Sequence, residues 1–263
     1  MDWIYDIPRW GGILLFAAVF VGFTWLGLVL IRPWVRRHAA DQPDWDALIG
    51  AILAAFVVFY GITLALIAVS SYQNFVAVNQ GVGREASSLG TLYRDVSNYP
   101  EPIRGELQTM LRDYTQYVIE EAWPAEKRGV VPQGGTVRIQ AFEEKLLAFQ
   151  PQTREEAILH ANTLRELDEF NDYRNQRLES ITTGLPDVLW YLVAVGAVVN
   201  AMLTCLFDVK RLSVHLLLTG LMALFVAQMV FMIVALDKPF RGGVSVGPGA
   251  FQLVQRSLME EDR

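Results

Sequence analysis

Polar side chains are scarce in four long charge-free runs of the sequence, and two amides stand out within them. Asn200 and Gln228 each lie in a run whose other residues are mostly apolar. An amide in such a segment either hydrogen-bonds to a neighbouring helix, at about 1 kcal/mol, or faces a water-filled path. Both residues are therefore candidates for a helix interface or for the lining of a conduit.

A group of charges and a proline follows the last charge-free run. Asp237 and Lys238 end the run and precede Pro239. One interpretation is structural: Lys238 satisfies the last carbonyl groups of the helix, and Pro239 ends it. The other is functional: if the protein is an oligomer, Asp237, Lys238 or Arg241 would contribute to a ring of charge at a pore mouth.

The sequence contains no motif typical of an enzyme, a metal site or a nucleotide site. The single cysteine, Cys205, lies in an apolar run, and the three histidines, His38, His160 and His215, are far apart. There is no nucleophile with a nearby base and no phosphate-binding glycine loop after a strand. We expect no enzyme activity, no cofactor and no metal. A net charge of −6 without a basic block also predicts no binding to nucleic acid.

The elements that must position these residues are membrane helices. The charge-free runs cover residues 10–31, 47–83, 188–207 and 212–236. About 20 apolar residues cross the ~30 Å of bilayer hydrocarbon, so each run is long enough to span it. Only 19% of the residues are charged, whereas soluble domains carry about 25%. The chain is predicted to be a multi-pass helical membrane protein with the lipid bilayer as a partner.

We place the four spans at 10–31, 47–70, 187–207 and 213–236. The first run is too long for a signal peptide and follows acidic residues, so it is expected to remain as a helix. These spans form one transmembrane hairpin within 1–71 and another within 185–237. After the second span, an uncharged polar tail predicts that the helix continues out of the bilayer.

The segment 72–184 has the composition of a soluble domain, with 12 Lys and Arg against 17 Asp and Glu. Its apolar residues recur at helical spacing, as Leu89, Leu92 and Val96 do, and no stretch alternates with a period of two. Thr153 and Glu156 have the spacing of a capping box, which would open a long helix running towards Gly184.

The predicted fold is all-α: four transmembrane helices plus a soluble helical bundle inserted between spans two and three. Charged residues on the bundle helices are expected to be solvated; they are Glu85, Arg94, Glu120 and Glu121. The segment 238–263 is expected to form an ordered loop and a short helix that carries Phe251, Leu253 and Leu258.

The basic residues of the short loops predict the orientation of the spans. The two loops after spans one and three carry five Lys and Arg, and the opposite side carries three near the spans. The larger number is expected in the cytoplasm. The chain would then lie in the cell (inner) membrane with the helical domain and both termini outside the cytoplasm.

Five boundary motifs resemble a known family in their order and spacing. They are WVRRH at 34–38, EASSLGTLYR at 85–94, EEAWP at 120–124, ALDKPFRG at 235–242 and VSVGPGAF at 244–251. They are similar to those of the bacterial "bestrophin-like domain" membrane proteins, a family of unknown function. The family name implies kinship with bestrophin anion channels, which are oligomers with four spans and a large domain between spans two and three.

The resemblance also suggests a pore position on the second span. A bestrophin pore is narrowed by apolar and aromatic residues four apart on that helix, and Ile52, Phe56 and Tyr60 have this spacing. The alternative is helix packing or lipid contact. The orientation departs from the family, because bestrophins keep their large domain in the cytoplasm and the charge count places this one outside.

Two functions remain open on the sequence. The first is an oligomeric conduit, with small ions as the candidate cargo, in which spans two and three line the path and the bundle forms a vestibule. The second is a non-conducting sensor or scaffold whose long helices pass signals to the cytoplasmic loops. Those loops are too short to be a docking domain, which favours the conduit.

Overall fold

The computed structural model describes residues 7–39 and 42–259, and these residues form helices and loops without a strand. The helices are α1 (Arg9–Ala39), α2 (Trp45–Val96), α3 (Ile103–Tyr117), α4 (Trp123–Glu126), α5 (Gly134–Leu147), α6 (Arg154–Thr182), α7 (Asp187–Cys205), α8 (Leu212–Asp237) and α9 (Gly249–Val254). The all-helical prediction is confirmed for this part of the chain. The expectations for residues 1–6 and 260–263 at the termini lie outside the described residues.

Four helical segments are long and apolar enough to cross a membrane, as the charge-free runs predicted. They are Arg9–Ala39, Trp45–Val96, Arg154–Cys205 and Leu212–Asp237. The second span continues without a break into the polar segment, because α2 is a single helix of 52 residues. The predicted continuation of this helix beyond the apolar run is confirmed, and its exit from the bilayer stays a prediction.

Helix α6 begins as the capping pattern predicted. The Thr153 hydroxyl oxygen accepts a hydrogen bond from the backbone N–H of Glu156, at 3.1 Å. The Glu156 carboxylate accepts from the backbone N–H of Gln152, at 2.6 Å, one residue before its partner in the usual box. The helix ends at Thr182, before the Gly-Leu-Pro sequence at 184–186.

Two five-residue π-helical turns interrupt the helical pattern. Val118–Ala122 joins α3 to α4, and Gln255–Met259 follows α9. Neither turn was expected from the spacing of apolar residues. The first places Trp123 and Glu126 at the end of one continuous helical stretch, and both side chains are buried.

The chain divides into two compact units. Unit 1 comprises 1–73 and 185–237, and its core is formed by α2, α7 and α8. Tyr60 lies in that core, and its hydroxyl donates to the backbone carbonyl of Val193 at 2.9 Å. Gly196 makes room for the ring, since a Cβ there would lie 2.1 Å from Tyr60 Cε2.

Unit 2 comprises 74–184 and 238–263, and its core is rich in large aromatic side chains. Those that are fully buried are Tyr93, Tyr99, Tyr114, Trp123, Phe142, Phe170, Phe240 and Phe251. The Trp123 ring packs against Phe240 and Phe251, with ring centres 5.8 Å apart in each case. The segment after α8 is thus part of the core of this unit.

Candidate functional site

The three residues of the suggested pore triplet do not share one exposed face of α2. Ile52 is 47% exposed, whereas Tyr60 is 7% exposed and bonded to α7. Phe56 is half-buried, and its ring stacks on Tyr60 with 5.6 Å between ring centres. The aromatic pair therefore packs inside unit 1.

A different line of residues is exposed on α2. Phe59 and Leu66 follow Ile52 at intervals of seven, and all three are exposed. Ile62 and Val69 extend this surface. A spacing of seven residues returns to nearly the same side of an α-helix, so these side chains form one apolar stripe.

Asn200 lies where α1, α7 and α8 meet in unit 1, and only 4% of it is exposed. It lines a cavity of about 230 Å³. The other lining residues include Phe20, Phe23, Thr24, Ala197, Ala201 and Ala223. The small side chains of Ala197, Ala201 and Ala223 let the helices approach closely around the amide.

Gln228 lies on α8 and is half-buried. Within the described part of the chain, neither the Asn200 nor the Gln228 side chain makes a hydrogen bond to another helix. The expected bonds between helices are therefore not seen. The hydroxyl groups of Thr204 and Thr219 also do not join two helices, because each donates to a carbonyl of its own helix.

Asp237 and Lys238 each hydrogen-bond to a backbone group outside α8. The Asp237 carboxylate, which is 6% exposed, accepts from the backbone N–H of Leu185 at 2.5 Å. The Lys238 ammonium donates to the carbonyl of Thr182 at 3.0 Å, at the end of α6. The structural interpretation of Lys238 needs correction, since the carbonyl it satisfies belongs to α6 and not to α8.

Arg241 is half-buried and lies over Gly129 in unit 2. Gly129 has a φ of 76°, which favours glycine. A Cβ at Gly129 would meet the guanidinium of Arg241 at 3.4 Å. Arg241 thus packs against a tight turn in this chain.

A buried charge network in unit 2 was not predicted from the sequence. Arg177 binds the Glu85 carboxylate with two nitrogens, through Nε at 2.6 Å and Nη2 at 3.1 Å. Its Nη1 donates to Glu126. The three side chains are between 0% and 2% exposed. We call Glu85, Glu126 and Arg177 the buried triad.

Aromatic rings surround the guanidinium of the triad. Its carbon lies 5.5 Å from the ring centre of Trp123 and 5.8 Å from that of Phe251. The Tyr114 hydroxyl donates to Glu85 at 3.4 Å. Glu126 Oε2 is buried and accepts no hydrogen bond from any described residue. This carboxylate oxygen therefore has no hydrogen bond to offset its loss of hydration.

The pKa shifts follow from this arrangement. Burial raises the pKa of Glu126 above its ordinary value, although Arg177 pulls it down. Burial would lower the pKa of Arg177, but Glu85, Tyr114 and Glu126 together raise it well above the ordinary value. Arg177 is therefore a permanent cation, and Glu126 is the member of the triad whose ionisation is opposed by its surroundings.

The expectation that Glu85 is solvated is wrong. Glu85 follows Val78 and Val82 and precedes Leu89 at the spacing of a buried stripe, and all four are buried on α2. Arg177 occupies the equivalent place on α6, between Phe170 and Ile181. The sequence did contain a signal for this burial, because each of these charged residues continues a stripe of apolar residues at helical spacing.

A cavity of about 270 Å³ lies beside the triad in unit 2, between α2 and α6. Its lining residues include Asn74, Ala77, Gly81, Gln176, Arg177, Glu179, Ser180 and Thr183. More polar side chains line this cavity than line the one around Asn200. No group of three or more His, Cys, Asp or Glu side chains that could hold a metal ion occurs among the residues that the structure describes.

Four helices that are long and apolar enough to cross a bilayer identify an integral membrane protein, and unit 2 adds a separate core that contains a buried charge network. The family profile of the "Bestrophin-like domain" matches residues 18–251. The chain therefore belongs to the bestrophin-like family, as the boundary motifs indicated.

Solved structures share the fold at low sequence identity. A variant of a bacterial bestrophin homologue from Klebsiella pneumoniae is 14% identical with a TM-score of 0.66, over 95% of this chain and 98% of that one. The same homologue, phased with zinc, is 15% identical with a TM-score of 0.61, over 92% and 97%. A structure described as a membrane protein variant is 15% identical with a TM-score of 0.64, also over 92% and 97%. No curated protein sequence matches the chain.

Proposed function

We propose that this protein is a subunit of an oligomeric membrane conduit for small ions, and that it has no catalytic role. In this proposal α2 and α7 line the path within the bilayer. Unit 1 is the transmembrane part, and unit 2 is a helical domain that forms a vestibule in water, with its larger part, 74–184, inserted between spans two and three. The family and the shared fold with bacterial bestrophin homologues support a channel-like role.

The observation that carries the proposal is the uncharged exposed face of α2. The helix has no charged residue from 47 to 83, and polar side chains are most frequent towards its far part, where six of the thirteen residues of 71–83 are polar. Only 22% of its most apolar window is buried inside the chain. Such a face suits a path that is apolar within the bilayer and polar beyond it.

A second copy of the chain is the expected occupant beside this face. The most apolar window of α1 is 11% buried, so α1 is suited to lipid contact. A conduit needs more than one copy of α2 around an axis. Ile52 is proposed to lie on the lining stripe, whereas Phe56 and Tyr60 support it from within unit 1.

Flux through an oligomer tests the proposal directly. The purified full chain, reconstituted in liposomes, should pass small ions and behave as a symmetric oligomer in mild detergent. In a Cys205→Ala background, single cysteines at Ile62, Leu66 or Val69 should become sensitive to charged thiol reagents that block flux. Cysteines at Leu26 and Leu30, exposed on α1, are the matched controls and should leave flux unchanged.

The alternative outcomes are distinct. A monomer or dimer without flux would contradict the conduit and favour a sensor or scaffold. If the reagents block flux at the α1 cysteines but not at the α2 cysteines, the conduit proposal stands. The assignment of its lining to α2 would then be wrong.

The orientation proposal places unit 2 and both termini outside the cytoplasm. It has its own test, which does not depend on flux. Single cysteines at the exposed residues Ser87 and Arg211 should be labelled in intact cells from opposite sides. Labelling of position 87 from outside supports the proposal, and labelling of position 211 from outside contradicts it.

A further inference from the structure

A basic patch lies in unit 1 where α1 ends and the chain passes from α7 to α8. Arg32, Arg36 and Arg37 lie on the last turns of α1, and Lys210 and Arg211 lie in the connecting segment. The conduit proposal uses none of these side chains. We call these five residues the basic patch.

Two arginines of the patch fix its shape. Arg32 Nη2 donates to the backbone carbonyls of Val209 and Lys210, at 3.3 and 3.2 Å. Arg36 Nη2 donates to the carbonyl of Lys210 at 3.0 Å. These bonds satisfy carbonyls that follow α7, and they hold the connecting segment beside α1. The charges of the two segments are thereby concentrated in one place.

The other three cations of the patch face outward. The side chains of Arg37, Lys210 and Arg211 are exposed and make no hydrogen bond or ion pair within the described residues. Their charge is therefore available to an external anion.

Nearby acids compensate only part of the patch. Asp208 lies 3.9 Å from Arg36 Nε. The Asp46 carboxylate accepts from the backbone N–H of Asp208, at 2.9 Å. Asp44 precedes α2, and Asp41 lies outside the described residues. Asp208 and Asp46 are thus engaged with Arg36 and with the backbone, and not with the three outward cations.

The surroundings of the patch indicate a bilayer surface. Trp34 is half-exposed; its ring lies 4.4 Å from His38 and 6.3 Å from Trp45, measured between ring centres. Trp45 Nε1 donates to the carbonyl of Leu206 at 2.8 Å. Tryptophan rings gather at membrane–water interfaces, because they combine an apolar body with a polar N–H group.

Exposed apolar side chains continue from the tryptophans into the spans. Leu26 and Leu30 lie on α1, and Leu217 and Leu221 lie on α8. A ligand that matches both regions carries an anionic head and long apolar chains. A soluble anion would match only the charges, and a nucleic acid would leave the leucines uncovered.

We propose that Arg37, Lys210 and Arg211 bind the phosphate group of an anionic phospholipid whose acyl chains lie along the exposed leucines of α1 and α8. Arg32 and Arg36 are positioning residues, because they act through the backbone of the connecting segment. Cations just outside a span attract anionic lipid head groups over a distance of about one Debye length. This site does not depend on the conduit proposal.

Native mass spectrometry of the full chain in detergent tests the lipid and its source. Phosphatidylglycerol, phosphatidylcholine and inorganic phosphate are added separately. Phosphatidylglycerol should be retained and should raise the thermal unfolding temperature, and the other two additions should do neither. Equal retention of both lipids would overturn the proposal, and so would an equal thermal shift with inorganic phosphate alone.

Neutral variants locate the site. A triple variant, in which Arg37, Lys210 and Arg211 are all changed to Gln, should weaken phosphatidylglycerol retention on the order of 100-fold. Each basic residue near an anionic membrane contributes about 1 kcal/mol to binding, and the three together account for this factor. The matched control changes Lys127, Arg128 and Arg154 to Gln; these three are exposed in unit 2 and should leave retention unchanged. Unchanged retention in the patch variant, or equal loss in the control, would overturn the assignment.

Discussion

The two units bury opposite kinds of side chain. The large aromatic side chains that are fully buried belong to unit 2, whereas Trp10, Phe23 and Phe59 of unit 1 are exposed. Unit 2 also buries a charged triad, while three buried hydroxyls of unit 1, those of Ser71, Thr204 and Thr219, bond to carbonyls of their own helices.

This difference is the one expected if unit 2 lies in water and unit 1 in lipid, as we propose, because the two surroundings stabilise a core by different forces. In water, burial of apolar surface drives folding, so large rings move inside, and a charge can follow only with partners. In lipid, apolar surface gains little from burial, and helices associate through small residues and close packing. The fit of Tyr60 against Gly196 is an example of the second kind.

The largest effect is expected when the triad loses its cation. Arg177→Met leaves two carboxylates buried without a partner, which should lower the free energy of unfolding by about 3–5 kcal/mol. Urea denaturation in mild detergent, followed by tryptophan fluorescence, measures it.

Two controls accompany this variant. Glu121→Gln, at an exposed position, should change stability by less than about 0.5 kcal/mol. Replacing all three triad members by Leu or Met should recover most of the loss, because no buried charge remains. A loss below about 1 kcal/mol for Arg177→Met would show that unit 2 does not depend on the pairing.

The packing of unit 1 should give the next largest effect. Gly196→Ala places a Cβ against the Tyr60 ring, and overpacking of this kind costs about 1–3 kcal/mol. Gly61→Ala is the matched control, since a Cβ there meets nothing within 4 Å. The unfolding midpoint in detergent should fall for the first variant only. Equal midpoints would mean that α2 and α7 are not held by close contact.

A local change at the start of α6 should be smaller. Thr153→Ala removes the acceptor for the Glu156 N–H, which should cost about 1 kcal/mol. The exposed hydroxyl of Thr109 bonds to a carbonyl within its own helix, so Thr109→Ala is the control and should be nearly neutral. The same denaturation measurement applies, and a neutral Thr153 variant would contradict the capping assignment.

The smallest effect expected is a change of stability with pH in unit 2. Burial raises the pKa of Glu126 and lowers the pKa of His160. The stability that Glu126 contributes is fully present at pH values below its ordinary pKa. It is lost as the pH rises through the raised pKa that Glu126 has in the folded protein. That of His160 is complete above its ordinary pKa and is lost as pH falls.

Comparison with neutral variants isolates these two groups. The stability of the wild type relative to Glu126→Gln should decline as pH rises from about 4.5, the ordinary carboxyl value. Relative to His160→Gln, it should decline as pH falls below about 6.5. Differences that are independent of pH, or of the opposite sign, would contradict these assignments.

Much of the helical order could be predicted from the sequence. The four apolar segments follow from the cost of placing charges in lipid, and the long α2 follows from a run without proline or charge. The start of α6 was visible because capping depends on residues three apart. These features are local in the chain.

The buried triad and the packing of Tyr60 depend on partners far along the sequence. Glu85 and Arg177 are 92 positions apart, and a single sequence does not show which stripe meets which. Glu126 is brought to them by a π-helical turn, whose extra residue shifts the helical register. Glu85 was assigned to the solvated surface because it is charged, although its spacing matches that of the buried stripe.

The aromatic contacts of Trp123 impose an order on biosynthesis. Phe240 and Phe251, which cover its ring, follow the last spanning helix in the chain. The ribosome therefore completes α2 through α8 before these two side chains exist. Until they emerge, the nascent 74–184 segment has an open hydrophobic pocket around Trp123. A chain truncated before Phe240 would lack both rings that pack on Trp123.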